Sequence, residues 1–302
     1  MTFKALRMRI SRCYTGVSSI LLDMPSDKPK VCAVSYLNTV PLVWGMMHGP
    51  QKSLVKLDFA LPSECARQLA SGEADIGIVP VGALLDTQHG RDGDYGIFRG
   101  AGIACRGAVR SILLISKVPF RKIRTLATDA GSRSSVLLCR IILARKYACE
   151  PECVSVTADL EAMLESSDAC LIIGDPALRM DPVELRASGY QVADLGEEWM
   201  ELTGLPMVFA VWAGAKHLVS ADFEAAFIDS YRFGREHIED IVRSEHEARG
   251  VTMQAAREYF DRYIVFELGD NEYAGMRRYL EFASELLGKQ QTLVTVGSKQ
   301  SI

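Results

Sequence analysis

The chain has 302 residues, 48% of them hydrophobic and 24% charged, which suits about two globular domains and excludes a fibre, a stapled miniprotein or a disordered tail. Its 34 Lys and Arg against 38 Asp and Glu leave a net charge of −4 with no basic run, so no nucleic-acid partner is expected. The strongest apolar runs, such as residues 112–115 and 171–173, are strand-sized and far short of the ~18 to 20 residues that span a bilayer, so no membrane partner is expected either.

Residues 1–30 begin with Lys4, Arg7, Arg9 and Arg12, followed by one short apolar stretch at 16–22 and no small-x-small cleavage pattern. This reads as an unstructured extension rather than a signal peptide. From residue 31 onward, apolar β-branched runs alternate with helical patterns, as parallel strands joined by crossover helices do. A strand over 31–34 breaks at Ser35-Tyr36-Leu37-Asn38-Thr39, before a helix that Pro41 can start. A strand over 55–59, a helix from Pro62 closed by Gly72, and a strand over 74–79 leading into a short helix at 83–85 complete one βαβαβ unit.

Residues 86–94, rich in Gly, Asp, His and Arg, read as an exposed loop. Strands over 95–105 and 109–116 follow, and after Pro119 the pattern restarts. A strand over 123–128 leads to Gly131-Ser132-Arg133-Ser134-Ser135 and a helix over 136–147. Then come a strand over 153–156, a helix over 160–164, and a strand over 169–173 that stops at Gly174-Asp175. After an apolar stretch at 192–195, the run 207–212 can carry the chain back to the first unit. Beyond Ser220 the pattern is helical. Phe223, Phe227, Tyr231, Ile238 and Val242 share one face, and helices over 252–263 and 271–287 end at Gly288.

The expected fold is α/β, with two lobes, two crossover segments and C-terminal helices. Residues 31–110 and 212–288 make the first lobe and 111–211 the second, with 1–30 an extension and 289–302 a tail. A ligand would sit between the lobes, beyond the carboxyl ends of the strands.

Eight cysteines at 13, 32, 65, 105, 139, 149, 153 and 170 form no CxxC pair and have no His at zinc spacing. They read as small hydrophobes in a reduced cytoplasmic protein, with no metal site. The five histidines lack an adjacent carboxylate motif. Neither GxGxxG after a strand nor GxxxxGK[ST] is present, so no nucleotide, nicotinamide or flavin cofactor is expected.

Four polar clusters fall at strand ends or crossings: Ser35 to Thr39, Ser111, Ser132 to Ser135, and Thr203-Gly204. Hydroxyls at a helix start, with its unpaired N–H groups and positive dipole end, suit a carboxylate or phosphate, and Arg133 adds a bidentate clamp. Simple N-capping is the competing reading of each cluster, although three hydroxyls around Arg133 exceed the needs of one cap. Asn38 can serve a turn or a ligand, and Asp75 and Asp175 can form turns or face the cleft. The ligand expected from these residues is a small anion.

Six motifs occur in a fixed order: Val34-Ser35-Tyr36-Leu37-Asn38-Thr39-Val40-Pro41-Leu42, Ala74-Asp75-Ile76-Gly77-Ile78-Val79-Pro80-Val81, Ser111-Ile112-Leu113-Leu114-Ile115-Ser116-Lys117, Asp129 with Ser132-Arg133-Ser134-Ser135, Ile173-Gly174-Asp175-Pro176-Ala177-Leu178, and the run from Thr203-Gly204 through Val211-Trp212. Together, over about residues 30 to 288, they resemble the chorismate dehydratase family of the futalosine route to menaquinone. The resemblance implies a type II periplasmic-binding-protein fold used as an enzyme, and conversion of chorismate to 3-[(1-carboxyvinyl)oxy]benzoate with loss of water and without a cofactor.

It also implies Asn38 and Ser111 as catalytic residues near the reacting ring. Ser35, Tyr36, Ser132, Arg133, Ser134, Ser135, Asp175, Thr203 and Gly204 form the expected substrate-binding set. Many relatives carry Ser-Arg-Thr-Ser where this chain has Ser132-Arg133-Ser134-Ser135, and Ser for Thr keeps the hydroxyl. The matched motifs offer no obvious His or Glu base, so a substrate carboxylate is the expected proton acceptor.

Three other classes share the architecture. A solute-binding protein of a transporter needs an export signal or lipidated cysteine, and Cys13 lacks an apolar stretch before it. The sister 1,4-dihydroxy-6-naphthoate synthase opens on a motif like SPCPND instead of Ser35-Tyr36-Leu37-Asn38. A transcriptional effector domain would bring a helix-turn-helix of roughly 60 residues. The oligomeric state is left open.

Overall fold

The computed structural model describes residues 28–85, 95–128, 133–156 and 159–288. The expected extension up to residue 27, the loop 86–94, Ser132 and the tail 289–302 lie outside the described residues.

The first lobe opens with β1 (Lys30–Val34), α1 (Val40–His48), β2 (Lys56–Ala60), α2 (Pro62–Ser71), β3 (Ile76–Pro80) and β4 (Tyr95–Cys105). The second contains β5 (Ile112–Ser116), β6 (Thr125–Thr128), α3 (Arg133–Tyr147), β7 (Glu152–Ser155), α4 (Leu160–Ser166), β8 (Ala169–Ile173), α5 (Asp175–Leu178), α6 (Pro182–Ala187), β9 (Gln191–Asp194) and α7 (Leu195–Thr203). The chain returns through β10 (Met207–Ala215), and ends in α8 (Ala221–Glu236), α9 (Ile238–Glu245), α10 (Met253–Glu258), β11 (Val265–Glu267) and α11 (Asp270–Leu286).

The strands form a six-stranded sheet, β11-β4-β10-β3-β1-β2, and a five-stranded sheet, β7-β6-β8-β5-β9. In each, the first strand of a βαβαβ unit lies between the next two, parallel to both. The strand added beside the third comes from the other side of a crossing and runs antiparallel: β10 against β3, and β5 against β8. The two lobes are thus the same arrangement made twice. β3, β5 and β8 sit inside their sheets and are apolar on both faces, whereas the edge strands β2 and β7 are largely exposed.

The helical C-terminal region covers the first sheet. Phe227 of α8 stacks on Trp212 with ring centroids 4.6 Å apart and meets Phe98 edge-on at 5.1 Å. The Ser230 hydroxyl of the same helix donates to the Leu42 carbonyl (2.8 Å) and accepts from the Met46 amide (3.2 Å), fixing α8 against α1.

Two expected boundaries move. β10 belongs to the first sheet from Met207 onward, so the second crossing precedes Met207 and does not fall at 211–212. A strand buried on both faces has no alternation to mark where the chain changes sheets. The strand expected over 109–116 begins only at Ile112, because the Asp194 carboxylate takes the amides of Val109 and Arg110 before any ladder can form.

The second crossing is clamped by α11. A β-carbon on Gly275 would lie 1.9 Å from the Pro206 carbonyl oxygen, so backbone touches backbone there. Gly275→Ala is expected to destabilise the protein by about 1–3 kcal/mol through overpacking, read as a lower denaturant midpoint.

Candidate active site

The carboxyl ends of β1, β3 and β8, with β10 and the start of β5, surround a cleft between the lobes that encloses about 580 Å³, its open mouth included. Its walls are mainly apolar, from Val34, Pro62, Pro80, Ile103, Ile112, Ile173, Phe209 and Ala210. The polar side chains lining it are Tyr36, Asn38, Ser111, Ser134 and Ser135. No carboxylate, imidazole or amine belongs to this described lining. Among the described residues no group of His, Cys, Asp or Glu could hold a metal ion, and no helix is long and apolar enough to cross a membrane.

Asn38 sits in the 3-10 turn Leu37–Thr39 after β1, and Ser111, 2% exposed, directly precedes β5. Tyr259, which follows α10 and opens the π-turn Tyr259–Tyr263, joins them. The Asn38 amide Nδ2 donates to the Tyr259 hydroxyl (3.2 Å), which donates to Ser111 Oγ (2.8 Å). The Asn38 Oδ1 atom is buried and has no protein partner. Burial pushes the Tyr259 phenol well above its ordinary range, against the downward pull of Ser111 and Asn38, so it stays neutral.

Ser111 is presented by an unusual backbone. Arg110 has φ +67, a left-handed conformation that costs a non-glycine residue roughly 1–2 kcal/mol. Asp194 holds it there. This carboxylate accepts the amides of Val109 (2.9 Å), Arg110 (2.5 Å), Gly196 (2.9 Å) and Glu197 (3.3 Å). The Arg110 guanidinium adds bonds to the Ala177 and Met180 carbonyls.

Asp175 does not line the cleft. Its Oδ1 accepts the Leu37 amide (3.0 Å), and its Oδ2 accepts Arg249 Nη1 (2.7 Å). The same Nη1 donates to the Ser35 carbonyl (2.7 Å), and Arg249 also pairs with Glu245 (2.9 Å). Ser35 therefore contributes its backbone to a junction between the lobes, while Tyr36 lines the cleft.

Helix α3 starts at Arg133, three residues before the expected 136, so Ser134 and Ser135 occupy its first turn and face the cleft. Arg133 is described only as the first residue of that helix, and Ser132 lies outside the described residues. The Ser134 hydroxyl accepts the Gly82 amide (2.9 Å), and its carbonyl accepts the Tyr279 hydroxyl (3.0 Å), so it too joins the lobes.

Thr203 and Gly204 are placed differently from the expectation. They end α7 and are not part of the lining: the Thr203 hydroxyl donates to the Trp199 carbonyl (2.8 Å), and Gly204, at φ +69, is the left-handed cap. A small hydroxyl-plus-glycine pair reads alike at either end of a helix.

Arg249 and Tyr259 escaped the sequence reading. Both lie in the helical C-terminal region, where periodicity assigns a face but not a partner. Asp194 had a weak local signal, since an Asp immediately before a helical segment is a common N-cap, and it directly precedes α7.

Arg249→Met leaves the Asp175 carboxylate largely buried without its cation. The expected cost is about 3 kcal/mol, by analogy with broken buried ion pairs, seen as a reduced midpoint in denaturant unfolding.

A protein-family model described as menaquinone biosynthesis matches residues 29–285. A chorismate dehydratase from Thermus thermophilus is 27% identical over 240 residues, covering 74% of this chain and 84% of that protein. Among solved structures, a protein from Archaeoglobus fulgidus superposes with a TM-score of 0.68 at 18% identity, covering 88% of this chain and 99% of its own. A Candida albicans protein described as having the generic periplasmic binding protein fold gives 0.62 at 13% identity, with coverage of 89% and 92%. The architecture is the periplasmic-binding-protein fold, and the chain belongs to the menaquinone biosynthesis family.

Proposed function

We propose that the cleft removes water from chorismate to give 3-[(1-carboxyvinyl)oxy]benzoate. The observation that carries this reading is the meeting of Asn38 and Ser111 from opposite lobes at an apolar cleft, in a family that includes a chorismate dehydratase. Chorismate is a cyclohexadiene bearing a ring hydroxyl and two carboxylates. The apolar walls suit the ring, and the first turn of α3, with Ser134 and Ser135, suits a carboxylate.

In the reaction a ring C–H and the neighbouring C–OH bond break, the proton and hydroxide leave as water, and the electron pair of the C–H bond completes a benzene ring. Aromatisation supplies the driving force, so the protein has chiefly to orient the substrate and manage one proton. With no carboxylate, imidazole or amine in the described lining, a substrate carboxylate takes the ring proton while Asn38 and Ser111 orient the ring and assist the departing hydroxyl. A cytoplasmic location accompanies this reading, and the seven cysteines that are described are all free.

Incubating purified protein with chorismate should yield an aromatic product that keeps the enolpyruvyl group, identified by chromatography and mass. No product, with tight binding of another small anion, would favour a solute-binding role. Asn38→Ala and Ser111→Ala are each expected to lower kcat at least roughly a hundredfold while folded, the scale of losing a positioned donor in an active site. Near wild-type turnover in both would remove these two roles.

A further inference from the structure

We propose that Tyr259 is a positioning residue that fixes the direction of the hydrogen bonds at Asn38 and Ser111, so that the cleft meets the substrate's ring hydroxyl with one acceptor and one donor. The inference rests on the dehydratase reading above and concerns a residue that does not itself line the cleft.

A phenol has a single hydrogen to donate, and that of Tyr259 goes to Ser111 Oγ at 2.8 Å. Ser111 is thereby an acceptor towards Tyr259, which leaves its own hydrogen free for a partner in the cleft that it lines. On the other side, Asn38 gives an Nδ2 hydrogen to the phenol oxygen at 3.2 Å, which leaves Oδ1 free to accept. That oxygen is the one found buried and unpartnered, an arrangement that a native fold keeps when a ligand completes it.

An acceptor beside a donor is the complement of a hydroxyl, which gives one hydrogen bond and takes another. A carboxylate would leave Oδ1 facing a negative oxygen, and an ammonium would leave the Ser111 hydrogen facing another donor. As the ring C–O bond breaks, charge gathers on the departing oxygen. The Ser111 hydroxyl stabilises it more strongly because it already accepts from Tyr259.

Tyr259 is suited to this task by its surroundings. Its ring is 1% exposed beside Phe260, and the π-turn that begins there re-aims the chain after α10. Burial keeps the phenol protonated, so its donor is present at every working pH and it takes no part as acid or base. Because Tyr259 and Asn38 belong to the first lobe and Ser111 begins the second, this directed chain exists only when the lobes are together.

The test is chorismate turnover by the wild type, Tyr259→Phe, Ser111→Ala and the double variant. Tyr259→Phe is expected to lower kcat about tenfold or more with KM within about threefold, the signature of an interaction used in the transition state. Since Tyr259 acts through Ser111, the double variant should lose much less than the product of the two single losses. The pH profile of kcat should keep its wild-type shape.

A Tyr259→Phe enzyme within twofold of wild-type kcat, a change in KM alone, or multiplicative losses in the double variant would overturn the assignment. Wild-type protein that makes no aromatic product overturns the dehydratase reading itself, and this assignment with it. Should Tyr259→Phe fail to fold, proton NMR of the wild type reads the same feature. A slowly exchanging Tyr259 hydroxyl proton and a protected Asn38 side-chain amide are expected, and rapid exchange at both overturns the proposal.

Discussion

The Asp175 carboxylate is the tie on which the geometry of the cleft depends. It sits at the start of α5 in the second lobe, yet both its oxygens are occupied by the first: one by the Leu37 amide, the other by Arg249, which also holds the Ser35 carbonyl. Leu37 begins the turn that contains Asn38, so a residue of one lobe sets the position of a cleft amide on the other. Asp194 does the equivalent for Ser111, gathering four amides around the first crossing and holding Arg110 in its left-handed conformation. Neither carboxylate lines the cleft. Their charges are used up on backbone N–H groups and a guanidinium, which leaves the described cleft wall neutral.

That neutrality shapes the chemistry. Apolar walls lower the local dielectric and strengthen the few hydrogen bonds that remain. A site of amide and hydroxyl groups beside a helix start can hold an anion without presenting a competing base. The mildly acidic balance of the chain as a whole, at −4, does not oppose such an anion, because the N–H groups of a helix's first turn act locally.

Much of the fold was legible in the residues. The strand at 169–173 was readable to the residue because a uniformly apolar run lies between Asp168 and Gly174. The paired βαβαβ units followed from their alternation with helices. The cleft was partly legible: Tyr36, Asn38, Ser111, Ser134 and Ser135 were all singled out, and all line it.

The remainder was hidden for physical reasons. Thr203 and Gly204 have the composition of an anion loop and the geometry of a helix end. Asp175 looked like a cleft acid, but its partners are Leu37 and Arg249, 138 and 74 residues away. Tyr259 meets Asn38 across 221 residues and Ser111 across 148. A hydrophobic pattern can place such a tyrosine on the buried side of a helix, but no local signal says which polar atoms await its hydroxyl.

The order of strands in the first sheet also bears on how the polypeptide is made. β10 lies between β3 and β4, yet it is synthesised only after the whole second lobe. A ribosome that has delivered residues up to 116 has exposed a sheet with its middle missing: the inner edges of β3 and β4 are unpaired, and the cysteine-containing end of β4 awaits Met207 and Val208. The second lobe needs nothing later than β9 to complete its own sheet. It is therefore the part of the chain able to finish first, although its residues are neither the first nor the last to emerge, and the first lobe closes around the strand that it sends back.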